Sequence, residues 1–105
     1  MTDYILITTT TEKEEDARKI AKALTEKRLS ACVQIIGPIT SFYWWKGKIE
    51  ESREWLCLLK GRKDKYKEIE DAIKGIHPYE VPEIISVTIE KGSASYMQWM
   101  EQELQ

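Results

Sequence analysis

The chain has 105 residues, of which 42% are hydrophobic and 32% charged, and its formal net charge is −2. This length predicts one domain spanning residues 1–105, and the composition is that of a globular rather than a disordered protein. A pI near 5.5 argues against a nucleic-acid partner, and no apolar run reaches the roughly 20 residues that cross a bilayer. No signal-peptide pattern and no CxxC pair are visible, so we expect a cytoplasmic location with reduced thiols and no membrane partner.

The first part of the chain predicts a strand followed by a helix. Residues 1–10 are rich in β-branched side chains and apolar on both faces, which is typical of a central strand. Thr11 and Glu14 match the capping box T-x-x-E, so a helix is predicted to start at Thr11. Ala17, Ile20, Ala21 and Leu24 then recur at helical spacing, and the helix is predicted to end near Lys27 or Arg28.

A second strand over residues 29–36 leads into a long β-hairpin over residues 39–60. Gly37-Pro38 interrupts the pairing, because proline cannot donate a ladder hydrogen bond. The tip of the hairpin is predicted at Lys46-Gly47, and its first limb carries four consecutive aromatic residues, Phe42, Tyr43, Trp44 and Trp45. Successive strand residues point to opposite faces, so both faces of the hairpin are apolar. We expect one face to pack beneath two helices and the other to pack against another subunit.

The second half of the chain predicts a helix, an extended segment, a strand and a last helix. The helix covers residues 64–74 and ends at Gly75, while two prolines hold the following segment extended. A strand follows over residues 84–90. Ser95 and Gln98 match a second capping box, which predicts a terminal helix.

This order of elements is that of an α+β, ferredoxin-like split βαβ fold (β-α-β-β-α-β) with an extra C-terminal helix. The sheet is predicted to be antiparallel, with helices on one face only. The other face would be apolar along several strands, and an exposed apolar sheet of that size is typical of an interaction surface. We therefore expect self-association into a closed ring.

The sequence resembles the CutA family of divalent-cation tolerance proteins over nearly its whole length. The segments that carry the resemblance are LSACVQI at 29–35, SFYWWKGKIE at 41–50, LLK at 58–60, HPYEVPEII at 77–85 and YMQW at 96–99. The resemblance implies a trimer related in architecture to PII-type signal proteins, and a link to copper and other divalent cations with a site between subunits. We expect no organic cofactor.

His77 and Cys32 are the predicted metal ligands. Imidazole is a common ligand, and a thiolate suits Cu(I) or zinc. The alternative for His77 is a structural histidine that donates to a carbonyl, and for Cys32 a small buried apolar residue. Some family members have a further cysteine at the end of the first strand, where this chain has Thr8 or Thr9.

Six further residues are predicted to line the cleft: Tyr43, Trp45, Lys60, Tyr79, Glu80 and Glu83. The aromatic members could instead belong to a subunit interface, and Glu83 could simply pair with Lys60.

Three functions fit these residues. The first is a metal-binding trimer for cation tolerance, and the second is a PII-like signalling or scaffold trimer that binds a metabolite or a protein. An enzyme with Cys32 or Lys60 as nucleophile and His77 as base is the third. No catalytic signature is complete, so we predict that the chain is not an enzyme. The RNA-recognition signature of aromatic and glycine residues is missing from the sequence.

Overall fold

The structure is a computed structural model that describes residues 3–104. The strands and helices follow one another in the predicted order, with a 3-10 turn at Lys63–Lys65 before the second helix. In chain order they are β1 (Tyr4–Thr11), α1 (Glu14–Glu26), β2 (Cys32–Trp45), β3 (Lys48–Arg62), α2 (Tyr66–Ile76), β4 (Ile85–Thr88) and α3 (Ala94–Glu103).

The four strands form one antiparallel sheet in the order β2-β3-β1-β4. This is the ferredoxin-like arrangement with an additional C-terminal helix, so the predicted fold class is confirmed. Between Ile36 and Ile39 the pairing of β2 with β3 shifts register, and β2 continues past Gly37-Pro38 as one strand. The proline therefore causes a bulge rather than the end of the strand.

The core lies between one face of the sheet and the helices α1 and α2. Side chains at alternate positions of β1 and β3 point into it, because strand residues alternate between faces. Its buried members are Ile5, Ile7, Ala17, Ile20, Leu24, Cys57, Leu59, Ile69 and Ile73. The apolar stripe predicted for the first helix supplies Ala17, Ile20 and Leu24 of this set.

The opposite face of the sheet is apolar and partly exposed, and it is here called the helix-free face because neither α1 nor α2 covers it. Helix α3 reaches it at one end, where Lys60 donates a hydrogen bond to Tyr96. The face contains Leu6 of β1 and Leu58 of β3, and the large exposed side chains Ile36, Ile85 and Val87 lie on it. Exposed apolar surface of this kind is typical of an interface.

The hairpin projects beyond the helices. Helix α1, with 13 residues, is about 20 Å long, whereas the 14 residues of β2 extend over about 46 Å. The expectation that one face of the whole hairpin packs beneath the helices is therefore wrong: only its base does. In the outer half of the hairpin, residues 40–53, both faces are open. Phe42 and Trp44 on one face are 67% and 72% exposed, and Tyr43 and Trp45 on the other are 40% and 37% exposed.

The tip of the hairpin lies where the sequence predicts it. Lys46 and Gly47 both have positive φ, 51° and 81°, and connect Trp45 to its partner Lys48. Two such residues in succession make the tight turn that matches strand twist.

Three predicted helix boundaries are wrong: the start of α1, the start of α3 and the end of α2. Thr11 is still part of β1, paired with Trp55, and its Oγ1 donates to the carbonyl of Lys13 rather than capping α1. The cap of α3 is Ser93, whose Oγ accepts from the backbone N–H of Tyr96, so Ser95 is already helical.

Helix α2 also runs past Gly75, to Ile76. It ends there because Pro78 excludes the residue before it from the helical region, and His77 is accordingly extended. The last strand is shorter than predicted, and Met1 and Thr2 of the first predicted strand lie outside the described residues. Within residues 3–104, no helix is long and apolar enough to cross a membrane.

Candidate functional site

A cleft of about 680 Å³ lies between the outer half of the hairpin and the extended segment that connects α2 to β4. Its lining consists of Thr10, Ser41, Phe42, Tyr43, Trp44, Trp45, Glu54, Tyr79, Glu80, Val81, Pro82 and Glu83. Five of the predicted site residues, Tyr43, Trp45, Tyr79, Glu80 and Glu83, therefore come together here, at the end of the sheet away from α3.

His77 holds the extended segment against β1. Its Nδ1 accepts a hydrogen bond from the backbone N–H of Tyr79 at 3.1 Å, so Nε2 is the protonated nitrogen and donates to the carbonyl of Thr10 at 2.9 Å. Burial lowers the pKa of His77, partly opposed by the Thr10 carbonyl and the charges of Asp16 and Glu54. Both ring nitrogens are thus engaged, and the ring would have to release one of them to bind a metal.

Glu54 and Tyr79 form the polar pair at the base of the cleft. The Tyr79 hydroxyl donates to Oε2 of Glu54 at 2.6 Å, and Glu54 is only 5% exposed. Burial and the Glu54 carboxylate raise the pKa of Tyr79 well above its ordinary value. The phenol therefore stays protonated and keeps donating to the carboxylate.

The other two glutamates of the cleft are exposed. Oε2 of Glu83 accepts a hydrogen bond from Oγ1 of Thr8 at 2.9 Å. The alternative pairing of Glu83 with Lys60 is not found, because the Lys60 ammonium donates to the hydroxyl of Tyr96 on α3 at 3.1 Å. Lys60 therefore lies outside the cleft, at the α3 end of the helix-free face.

Cys32 also lies away from the cleft. It is opposite Lys60, whereas His77 binds Thr10, which is opposite Leu56 four residues further along β3. Four residues correspond to about 13 Å along a strand. One subunit therefore does not bring Cys32 and His77 into a shared site, either as metal ligands or as a nucleophile and its base.

The donor groups that the structure describes in one subunit do not form a complete metal site. Among residues 3–104, no three His, Cys, Asp or Glu side chains converge as the ligands of one ion would. The carboxylates of the cleft could offer oxygens to a hard cation, which takes six or more ligands when it is calcium. A soft ion would need the thiolate or imidazole, which lie elsewhere or are already hydrogen-bonded.

Cys57 is a core residue and not a ligand. It is fully buried, and its thiol lies 3.9 Å from the carbonyl of Ala17 on α1. Burial raises the pKa of the Cys57 thiol to about 11, so it carries almost no thiolate at neutral pH.

Sequence reasoning missed Glu54, the most buried carboxylate of the cleft. One signal could have found it: by strand alternation Glu54 shares a face with Leu56 and Leu58, so an acidic residue continues an apolar row. Phe42 and Trp44 were recognised as aromatic hairpin residues, but their place in the cleft was not predicted.

Comparison with known proteins identifies the family. A family model described as CutA1 divalent ion tolerance protein matches residues 5–103. The divalent-cation tolerance protein CutA of Thermus thermophilus is 42% identical over 100 residues, which cover 95% of each chain. Human protein CutA is 45% identical over 93 residues, 89% of this chain and 52% of the human one. The chain thus spans about half the length of the human protein.

Solved structures match the fold as well. The periplasmic divalent cation tolerance protein CutA of Archaeoglobus fulgidus superposes with a TM-score of 0.93 at 39% identity, covering 97% of this chain and 99% of that one. CutA of Xylella fastidiosa gives a TM-score of 0.95 at 32% identity, with 99% and 100% covered. Because the match runs through the whole sheet, the hairpin and the cleft segment, the chain belongs to the CutA1 divalent ion tolerance family.

Proposed function

We propose that this chain acts in divalent-cation tolerance as a non-enzymatic homotrimer that binds a metal ion in a cleft between subunits. The main support for this proposal is the glutamate-lined cleft, which opens beside a hairpin whose aromatic side chains are exposed. Family membership supports the link to divalent cations.

Self-association is supported by the amount of apolar surface that one subunit leaves open. The helix-free face and the outer hairpin carry large exposed side chains, including Ile85, Val87, Phe42 and Trp44. Monomeric proteins rarely leave such patches uncovered. A ring of three subunits would bury both surfaces of every chain.

The same surface explains how an ion could be bound although residues 3–104 of one subunit lack a complete ligand set. In a ring, donors of neighbouring subunits meet at the interface, so one or two ligands from each chain suffice. Copper would use His77 or Cys32, after rearrangement of the hydrogen bonds of His77, whereas a hard ion would use Glu80 and Glu83.

Calorimetric titration with Cu(I), Cu(II), Zn(II) and Mn(II) tests this proposal. We expect binding by the associated protein, with a stoichiometry tied to the trimer. Loss of copper binding in His77→Ala or Cys32→Ser would assign soft ligands, and loss of Mn(II) binding in Glu83→Gln hard ones. Glu15→Gln, on the exposed face of α1, is the matched control. The absence of binding for every ion would overturn the proposal.

A second candidate function is a PII-like signalling or scaffold trimer that binds a metabolite. The cleft volume of about 680 Å³ favours it, since small-molecule sites typically measure about 300–1,000 Å³ and are lined by aromatic side chains. Thermal-shift screening tests it, because a ligand that binds only the folded state raises the melting temperature. A metal-induced shift with no shift from any metabolite would count against it.

For the compartment, we propose the cytoplasm. Cys32 and Cys57 are both free thiols, as expected in a reducing compartment. The Archaeoglobus fulgidus relative is described as periplasmic, so cell fractionation of the native organism is the deciding experiment. Recovery of the protein in a periplasmic fraction would contradict the proposal.

A further inference from the structure

The buried carboxylate of Glu54 has no cationic partner among residues 3–104. Its residue is 5% exposed, and its one hydrogen bond in the structure comes from the neutral hydroxyl of Tyr79. Among residues 3–104, no lysine, arginine or histidine nitrogen lies within 4.0 Å of its oxygens. Buried glutamates are normally paired, because an isolated charge is costly to remove from water. Glu54 therefore offers a strong site for a cation that comes from outside the subunit.

The charge of the cleft as a whole also favours a bound cation. Glu80 and Glu83 line it together with Glu54, and the lining that the described part of the chain provides includes no lysine, arginine or histidine. The hydrogen bond from Thr8 to Glu83 is neutral and leaves that charge uncompensated. This environment repels phosphates and other anions and attracts cations. A nucleotide, which needs basic or helix N-terminal groups, does not fit.

The aromatic wall of the cleft distinguishes an organic cation from a bare ion. Tyr43 and Trp45 line the cleft and, by the pairing of β2 with β3, lie on the same face of the hairpin as Glu54. The faces of aromatic rings attract ammonium and guanidinium groups. Trp45 already behaves in this way, since the Lys46 ammonium lies 5.6 Å from its ring centroid. Aromatic carbon also favours contact with a hydrocarbon chain, whereas a hydrated metal ion gains nothing from it.

We propose that this cleft binds a small aliphatic amine or guanidinium compound. Its cationic group would approach Glu54, its chain would lie against the aromatic wall, and a second cationic group would be held by Glu80 or Glu83. The cleft volume of about 680 Å³ leaves room for such a molecule. The inference rests on the second candidate function, the metabolite-binding trimer, and names the chemical class of its ligand.

Titration of the full chain in its native oligomeric state with 1,4-diaminobutane and agmatine tests the inference, by calorimetry and thermal shift. The neutral control ligand is 1,4-butanediol, which has the same chain length but no charge, and Mg²⁺ controls for charge alone. We expect both amines to bind and to raise the melting temperature, and neither control to do so at equal concentration.

Variants locate the site. Glu54→Gln keeps an acceptor for Tyr79 but removes the charge, and we expect it to weaken amine binding at least tenfold. Because a substitution at this buried position could impair folding, the exposed pair Glu80→Gln and Glu83→Gln provides a second test, with an expected loss of several-fold. Glu15→Gln should bind the amines as the native chain does.

Equal binding of the diol or Mg²⁺, or amine binding that none of the cleft variants weakens, would overturn the inference. It would also fail if a crystal structure of the oligomer showed a lysine or arginine of a second subunit on Glu54. Copper or manganese binding without amine binding would refute the inference and leave the proposed metal function intact. Binding of a neutral metabolite alone would refute the ligand class while supporting the second candidate function.

Discussion

The helix-covered base of the sheet and its projecting hairpin use the same two strands in opposite ways. At the base, Cys57 and Leu59 of β3 are fully buried beneath α1 and α2. In the outer half, Phe42 and Trp44 of β2 are mostly exposed, although they are larger than any of the core side chains. Side-chain hydrophobicity therefore does not decide what is buried; the reach of the two helices does. The base stabilises the subunit, and the outer half is left for contacts with something else.

The largest expected effect on subunit stability comes from the base. Leu59→Ala removes a fully buried side chain from the core and should lower the free energy of unfolding by about 2–5 kcal/mol. Ile49→Ala, in the exposed outer half, should change it by less than about 0.5 kcal/mol. Urea denaturation at a protein concentration below that of self-association measures both. Similar losses for the two variants would remove the distinction between base and outer half.

The Tyr79–Glu54 hydrogen bond lies where the base of the sheet meets the outer half of the hairpin, and we expect the stability of the subunit to depend on it. Tyr79→Phe leaves a buried carboxylate oxygen without its donor, and should cost about 1–3 kcal/mol of unfolding free energy. Tyr43→Phe is the matched control, because the Tyr43 hydroxyl only accepts from Ser52 on the exposed hairpin. If both variants were equally stable, Glu54 would have to be solvated rather than buried.

Thr9 and Thr11 offer a smaller test within the buried base. Both are fully buried on the same face of β1. Within the described residues Oγ1 of Thr9 has no hydrogen-bond partner, whereas that of Thr11 donates to the carbonyl of Lys13. Thr9→Val should therefore stabilise the subunit by about 1 kcal/mol, and Thr11→Val should destabilise it by about as much. Thermal denaturation compares them, and a destabilised Thr9→Val would show that its hydroxyl is hydrogen-bonded after all.

The smallest expected effect is the pH dependence that His77 contributes. Its pKa in the folded chain lies below the ordinary 6.5, so the unfolded chain takes up the proton first as the pH falls. Stability should therefore decrease as the pH drops below about 6.5, until the lowered folded pKa is reached. His77→Gln should lack this part of the decrease in denaturation curves recorded between pH 7 and pH 5. Parallel pH profiles for the two proteins would mean that burial does not lower the pKa of His77 enough to affect stability.

The fold could be predicted from the sequence because it depends on the periodicity of the apolar residues and on the order of the strands and helices along the chain. The alternation along the strands and the helical spacing of Ala17, Ile20 and Leu24 both reflect burial directly. Helix starts were predicted less well, since pairing of Thr11 with Trp55 outweighs a local capping pattern.

The site was harder to predict because its geometry depends on strand register and on distant contacts. The separation of Cys32 from His77 follows from which residues face each other across three strands, and no spacing in the sequence encodes that. Glu54 is buried by Tyr79, which is 25 residues away. From the sequence, a glutamate close to Glu50 and Glu51 is indistinguishable from a surface residue.

In the proposed trimer, the exposed hairpin serves contacts between subunits rather than stability within one. Sedimentation velocity of the native chain and of the double variant Phe42→Ser/Trp44→Ser tests this role. We expect a native particle of three times the 12.3 kDa chain mass, and a single-chain particle with an unchanged circular dichroism spectrum for the variant. A monomeric native chain, or a variant that remains trimeric, would contradict it.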